Sequence, residues 1–230
     1  GVNLGAFAVG SHPVGVTFDG RNIWVVNNGD GNVTKLLPSD GTNLGTFATM
    51  STPQGVAFDG ANIWVLDRAK VMKLRVSDGA NLGIFSTNSI NGSQCYSSRR
   101  VNGIAFDGTN MWVACRASNS VTKLRAGDGS PLGGYVVGSE PPLHPPTGGG
   151  LSIADTLMGV AFDGTNIWVA NKPGGTVTKF RASDGAVLGT VVVGTRSGVL
   201  VSNAVKPCGV AFDGTNIWVT AAGFNIVSKR

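Results

Sequence analysis

Two histidines, His12 and His144, and four acidic residues, Asp30, Asp67, Glu140 and Asp155, are the groups in this 230-residue chain that could do acid–base or metal chemistry and that no repeated turn accounts for. The other nine of the thirteen acids are aspartates standing directly before glycine at two repeated positions: Asp19, Asp59, Asp107, Asp163 and Asp213, then Asp40, Asp78, Asp128 and Asp184. An aspartate there closes a turn by capping its own backbone. Brought together, His12, Glu140, His144 and Asp155 could supply metal ligands, or an acid and a base. The spacings that usually announce such a centre are missing: the chain has no His-Glu-x-x-His, Cys-x-x-Cys, Gly-x-Ser-x-Gly or phosphate loop. With the basic residues that fall beside them, the candidate ligand-binding set is His12, Asp67, Arg68, Arg116, Glu140, His144, Asp155 and Lys172. The sequence names no catalytic residue, metal or cofactor.

The elements that must position this set are repeats. "GVAFDGTNIWV" stands at Gly159 to Val169 and again at Gly209 to Val219, with three variants beginning at Gly15, Gly55 and Gly103, so the unit recurs at spacings of 40, 48, 56 and 50. Periods of about 40–50 residues that hold several short strands indicate propeller blades. Within a unit, "GVAF" and "NIWVA" flank an Asp-Gly hairpin signal, "VTKFR" ends at a second turn, "ASDGA", and "LGTVVV" follows. Four strands and three hairpins make one blade.

The last unit stops after its third strand, "VSKR", while the chain opens with "GVNLGAFAVG", which matches the fourth strands "GTNLGTFATM" and "GANLGIFSTN". The predicted fold is therefore all-β: a single five-bladed β-propeller domain of four-stranded blades over residues 1–230, closed by pairing the N-terminal strand with the C-terminal blade. Closure of that kind satisfies edges that an open stack would expose.

On this frame the unexplained acids fall in the hairpin between second and third strands or in the links between blades, and these share one face, the top. The three long links, Ser86 to Asn102, Gly138 to Met158 and Gly194 to Cys208, belong to it too, as do both histidines. Insertions confined to one face of a repeat protein mark a binding face. Trp24, Trp64, Trp112, Trp168 and Trp218 recur at one strand position and read as packing between blades rather than as an aromatic cage.

The formal charge of +5 does not point to nucleic acid: nine of the eighteen basic residues are Lys35, Lys73, Lys123, Lys179, Lys229, Arg75, Arg125, Arg181 and Arg230, spread evenly over the repeats with few aromatics free for stacking. No apolar run approaches the ~18 residues of a membrane helix. Of three cysteines, Cys95 lies in the link that feeds the blade carrying Cys115, which suggests a bridge between them with Cys208 free. Only 13% of residues are charged. That composition and a disulfide fit a secreted or cell-envelope protein.

The units, of which "GVAFDGTNIWVANKPGGTVTKFRASDGAVLGT" is representative, resemble the repeats of bacterial NHL, YVTN and SMP-30-like propellers across nearly the whole chain outside the long links. The resemblance implies the fold. The wider group includes lactonases and virginiamycin B lyases with a metal at the channel mouth, so a metal-assisted lyase or hydrolase is the enzymatic expectation, and a multivalent sugar-binding lectin a third. The residues themselves favour a binding or structural module whose top face contacts a ligand or protein partner, with its oligomeric state open.

Overall fold

A computed structural model describes residues 1–87, 103–115, 119–137, 157–172, 174–193, 206–223 and 225–230. They form five successive antiparallel meanders and, among the described residues, no helix. The chain is an all-β, five-bladed β-propeller. Blade 1 consists of β1 (Pro13–Phe18), β2 (Ile23–Asn27), β3 (Asn32–Leu36) and β4 (Asn43–Ala48); blade 2 of β5 (Gly55–Phe58), β6 (Asn62–Asp67), β7 (Lys70–Arg75) and β8 (Asn81–Ser86). Blade 3 consists of β9 (Ile104–Phe106), β10 (Asn110–Cys115), β11 (Ser120–Arg125) and β12 (Pro131–Val136); blade 4 of β13 (Leu157–Phe162), β14 (Asn166–Asn171), β15 (Thr176–Arg181) and β16 (Val187–Val192). Blade 5 holds β17 (Pro207–Phe212), β18 (Ile217–Ala221) and β19 (Ile226–Lys229).

Two compact units result, one ending at Ser86 with blades 1 and 2, the other beginning at Thr87 with blades 3 to 5. In the first, Trp24 and Val26 of blade 1 are buried against Ile63, Val65, Met72 and Leu74 of blade 2, with Phe47, Val56 and Phe58 around them. In the second, Trp112 meets Ile167, Val169 and Phe180, and Trp168 packs on Ile217 and Val219. The rule is the same in each unit: the Trp of one blade covers the Ile and Val of the next. Alternation along a strand makes this possible, because neighbouring residues point to opposite faces. Trp24, Trp64 and Trp112 are fully buried and Trp168 is half-buried, as their repetition predicts, while Trp218 is exposed.

The first Asp-Gly turn of each blade does more than cap itself. In blade 1 the Asp19 Oδ1 accepts the amides of Arg21 (2.8 Å) and Asn22 (2.6 Å), and Gly20 supplies the left-handed φ of 90°. The other oxygen accepts the Trp24 indole N–H at 2.7 Å. The same indole bond recurs from Trp64 to Asp59, Trp112 to Asp107, Trp168 to Asp163 and Trp218 to Asp213, at 2.6–2.7 Å. Above each ring stands the repeat lysine, its Nζ 4.9–5.5 Å from the centroid. Sequence reading treats these lysines as charges dispersed over the repeats; Lys35, Lys73 and Lys123 are moreover buried. Lys35 donates to the Val76 carbonyl (2.8 Å) and Lys123 to the Ala182 carbonyl (2.6 Å), tying one blade to the next. An ammonium over an indole face, with carbonyl acceptors beside it, tolerates that burial.

The fifth blade is where the sheet order differs from expectation. It has three strands, and residues 1–9 carry no strand, so the fourth strand expected from the N-terminal segment has no counterpart in the sheets. That segment is nonetheless seated as fourth strands are seated on the blade that follows them. The Phe7 ring lies where a Cβ on Gly41 would be, as Phe47 does at Gly79 and Tyr135 at Gly185.

These turns also set the response to acid. At Asp19 and Asp163 burial pushes the carboxyl up, but the Trp indole and the turn amides together outweigh it and hold it below the ordinary range. The Ser130 hydroxyl and amide, with Arg125, bring Asp128 down to about 2, and the Trp218 indole with the turn amides lowers Asp213. A carboxylate lowered by folding stabilises the native state above its unfolded pKa and loses that contribution as pH falls through the folded value. Stability is expected to be level from neutral pH to about 4 and to decline from there toward about pH 2. Urea unfolding at stepped pH checks this; a decline already under way at pH 6 would contradict it.

Candidate functional site

In the first unit, links and second hairpins come together at one end. The Asn28 amide donates to the His12 carbonyl and the Gly29 amide to the Ser11 carbonyl, both at 3.0 Å, while Ser11 N–H reaches Asp30 Oδ2 at 2.7 Å. On the next link, Thr52 gives its amide (2.8 Å) and its hydroxyl (2.7 Å) to the two oxygens of Asp67, which is buried. The Asn28 side-chain amide donates to the Pro53 carbonyl at 2.8 Å, joining the hairpin of blade 1 to the link that enters blade 2. Asp30 and Asp67 thus clamp links to hairpins.

The hairpin between the second and third strands separates blade 2 from the rest. In blades 1, 3, 4 and 5 the last paired residues are Asn27 and Asn32, Cys115 and Ser120, Asn171 and Thr176, Ala221 and Ile226, leaving four residues in the loop. The residue before the third strand is left-handed in each: Gly31 (φ 63°), Asn119 (φ 49°), Gly175 (φ 61°) and Asn225 (φ 54°). These are the types that take that conformation most easily. In blade 2, Asp67 pairs directly with Lys70 and the loop is two residues, Arg68 and Ala69. Here an arginine occupies the left-handed region, φ 50°.

The shortened hairpin leaves a cavity of about 410 Å3 lined by Asn28, Thr52, Gln54 and Arg68. That is the size of a small-molecule site. Gln54 is buried, held at its backbone by the Leu66 carbonyl (2.7 Å), and Arg68 is exposed at the rim. A left-handed arginine costs about 1–2 kcal/mol in backbone strain, and glycine relieves it at some loss of chain entropy. Arg68→Gly is therefore expected to stabilise the protein by about 0.5–1 kcal/mol, read as a higher urea midpoint; a lower midpoint would show that the hairpin depends on the arginine.

Of the sequence-predicted set, Asp67 and Arg68 stand at this cavity, Asp67 as the clamp on Thr52 and Arg68 in the lining. His12 belongs to the neighbouring link: left-handed itself (φ 51°), it places its Nδ1 3.0 Å from the Ser11 hydroxyl. Lys172 begins the hairpin of blade 4, where its carbonyl accepts the Gly175 amide at 3.3 Å. Arg116, Glu140, His144 and Asp155 lie outside the described residues. Asn28, Thr52 and Gln54 were not singled out by sequence reading, though a signal exists: Trp64 and Lys73 are nine residues apart where every other blade has eleven. Among the described residues no group of three or more His, Cys, Asp or Glu is placed to hold a metal ion. Cys115, buried at the end of β10, is disulfide-bonded and Cys208 is free; Cys95 lies outside the described residues.

The fold defines the chain as a β-propeller. Among solved structures it is similar to hydrazine synthase of Kuenenia stuttgartiensis, with a TM-score of 0.62 at 15% identity over 100% of this chain and 80% of that one. It is similar also to a catalytically inactive virginiamycin B lyase from Staphylococcus aureus solved with quinupristin, with a TM-score of 0.62 at 14% identity over 96% of this chain and 80% of the other. No protein-family model and no curated protein matches the sequence.

Proposed function

We propose that this propeller is a binding module of the NHL, YVTN and SMP-30-like kind, its five blades acting as one domain, that takes a small polar molecule at the link end. The observation that carries this reading is the cavity over the short hairpin of blade 2, walled by Asn28, Thr52, Gln54 and Arg68. The second hairpin keeps one length in four blades and is shortened where this cavity opens. A disulfide at Cys115 and a charged fraction of 13% support work outside the cytoplasm, secreted or in the cell envelope. The virginiamycin B lyase-like alternative, metal-assisted chemistry at a channel mouth, rests on Glu140, His144 and Asp155 together with His12.

Backbone amide NMR during titration with a panel of neutral, anionic and cationic water-soluble molecules tests the reading. Saturable shifts are expected at Asn28, Thr52, Gln54 and Arg68. Shifts confined to the opposite turns, such as Asp40 to Thr42, or no saturable shift with any compound, would dismiss it.

A further inference from the structure

We propose that the cavity is a carboxylate subsite, in which Arg68 holds the single negative charge of a small hydroxylated acid; this deepens the binding reading above and rests on it. Three observations converge. The Arg68 guanidinium makes no ion pair or hydrogen bond among the described residues, whereas Arg75, Arg125 and Arg181 are each engaged by Asp78, Asp128 and Asp184 at 2.9–3.2 Å. The carboxylate beside it in sequence, Asp67, gives both oxygens to Thr52. A planar fork of donors is thus left for a group from outside, and a carboxylate matches it two bonds at a time.

The second observation is conformational. The four-residue hairpins put Gly or Asn at their left-handed position, and the two-residue hairpin of blade 2 puts Arg at its own. Strain of this kind persists where the residue serves a purpose other than stability. The third is the rest of the lining. The Asn28 side-chain amide and the Thr52 hydroxyl donate to the Pro53 carbonyl and Asp67, which leaves the Asn28 Oδ1 and the Thr52 hydroxyl oxygen as neutral acceptors suited to ligand hydroxyls, and no second cation lines the cavity. Asp67, next in the chain, offsets part of the Arg68 charge, so the site disfavours a phosphate dianion more than a monoanion. A cavity of about 410 Å3 has room for a sugar acid.

The test uses three probes that separate charge from hydroxyls: glucuronate, glucose and inorganic phosphate, titrated against the intact chain and followed by amide NMR. Glucuronate is expected to shift Asn28, Thr52, Gln54 and Arg68 saturably, at least tenfold tighter than glucose or phosphate. Arg68→Ala should weaken glucuronate at least tenfold and leave glucose unchanged, and Arg68→Lys should restore part of the loss. Arg68→Gly, which relaxes the backbone, should unfold at higher temperature while losing glucuronate, separating binding from folding. Asp40→Ala, at the opposite turns, should bind normally. Glucose binding as tightly as glucuronate at these residues, or glucuronate binding that survives Arg68→Ala, would overturn the carboxylate assignment and leave the link-end module standing. Phosphate binding tighter than glucuronate would overturn the monoanion, and an absence of shifts from glucuronate would overturn the subsite. Failure of the whole panel described above, neutral compounds included, is what would remove the underlying reading.

Discussion

Asp59→Ala is expected to lower the unfolding free energy by about 3–5 kcal/mol, among the largest effects a single side chain in this protein can have. Its side chain is only 5% exposed and serves five groups: the backbone amides of Ala61 (2.8 Å) and Asn62 (2.6 Å), the Asn62 side-chain amide (3.3 Å), the Trp64 indole N–H (2.7 Å) and the Lys73 ammonium (3.9 Å). Removing it leaves a buried indole N–H without its acceptor, at about 1–3 kcal/mol, and takes a carboxylate from beside a buried ammonium. Asp59→Asn keeps the shape and one acceptor oxygen but not the charge, so it should fall between wild type and Ala. The same change at Asp213 should matter much less, because Trp218 is 38% exposed and its indole can turn to water, whereas Trp64 is fully buried. Urea unfolding of the three variants measures the contrast. Equal losses at Asp59 and Asp213 would mean that the turn amides, common to both, carry the effect and the indole does not.

The repeat made most of this frame legible before any coordinates. Apolar and β-branched runs punctuated by Asp-Gly specify strands and turns locally, so five blades could be counted from "GVAFDGTNIWV" and its variants. Interior roles for Trp24, Trp64 and Trp112 followed from the same alternation. What local pattern could not supply was the cross-strand partner: Trp24 and Asp19 are five residues apart, and nothing in their spacing says that the indole will close on the second carboxylate oxygen. Nor does composition show that Lys35 sits over an indole with its head on a carbonyl 41 residues away. The candidate site was half legible for a similar reason. Asp67 and Arg68 stood out as charges that break the repeat. Asn28, Thr52 and Gln54 did not, because neutral polar residues are ordinary in links, and it is a two-residue deletion in the hairpin between Trp64 and Lys73, not a residue type, that brings them to a common cavity. The fourth strand of blade 5 is a different case: the sequence likeness of residues 1–10 to other fourth strands is reflected in the seat of Phe7 at Gly41, but not in strand pairing.

Gly79→Ala is expected to cost about 3–5 kcal/mol, where Gly60→Ala in the same blade should cost only about 1–2. Both glycines are left-handed, with φ of 70° and 92°, so both substitutions pay the backbone term that a Cβ imposes there. Their surroundings differ. A Cβ on Gly60 meets nothing within 4 Å, while one on Gly79 would clash with three ring atoms of Phe47. That ring cannot simply step aside, since it lies tilted against Trp24, centroids 5.5 Å apart, and is packed on the core formed by Trp24, Ile63 and Leu74. Displacing it forfeits part of the burial of an aromatic side chain, about 1.5–3 kcal/mol, on top of the backbone strain. The clash has a partner, and so it can be isolated. In Phe47→Ala the obstruction is gone, and adding Gly79→Ala to that variant should cost no more than Gly60→Ala does in the wild type. A double-mutant cycle in urea reads this as a coupling between positions 47 and 79. Strict additivity would mean that the aromatic of the fourth strand is not what holds the second Asp-Gly turn in place, and it would remove the same explanation for Tyr135 at Gly185 and Phe7 at Gly41.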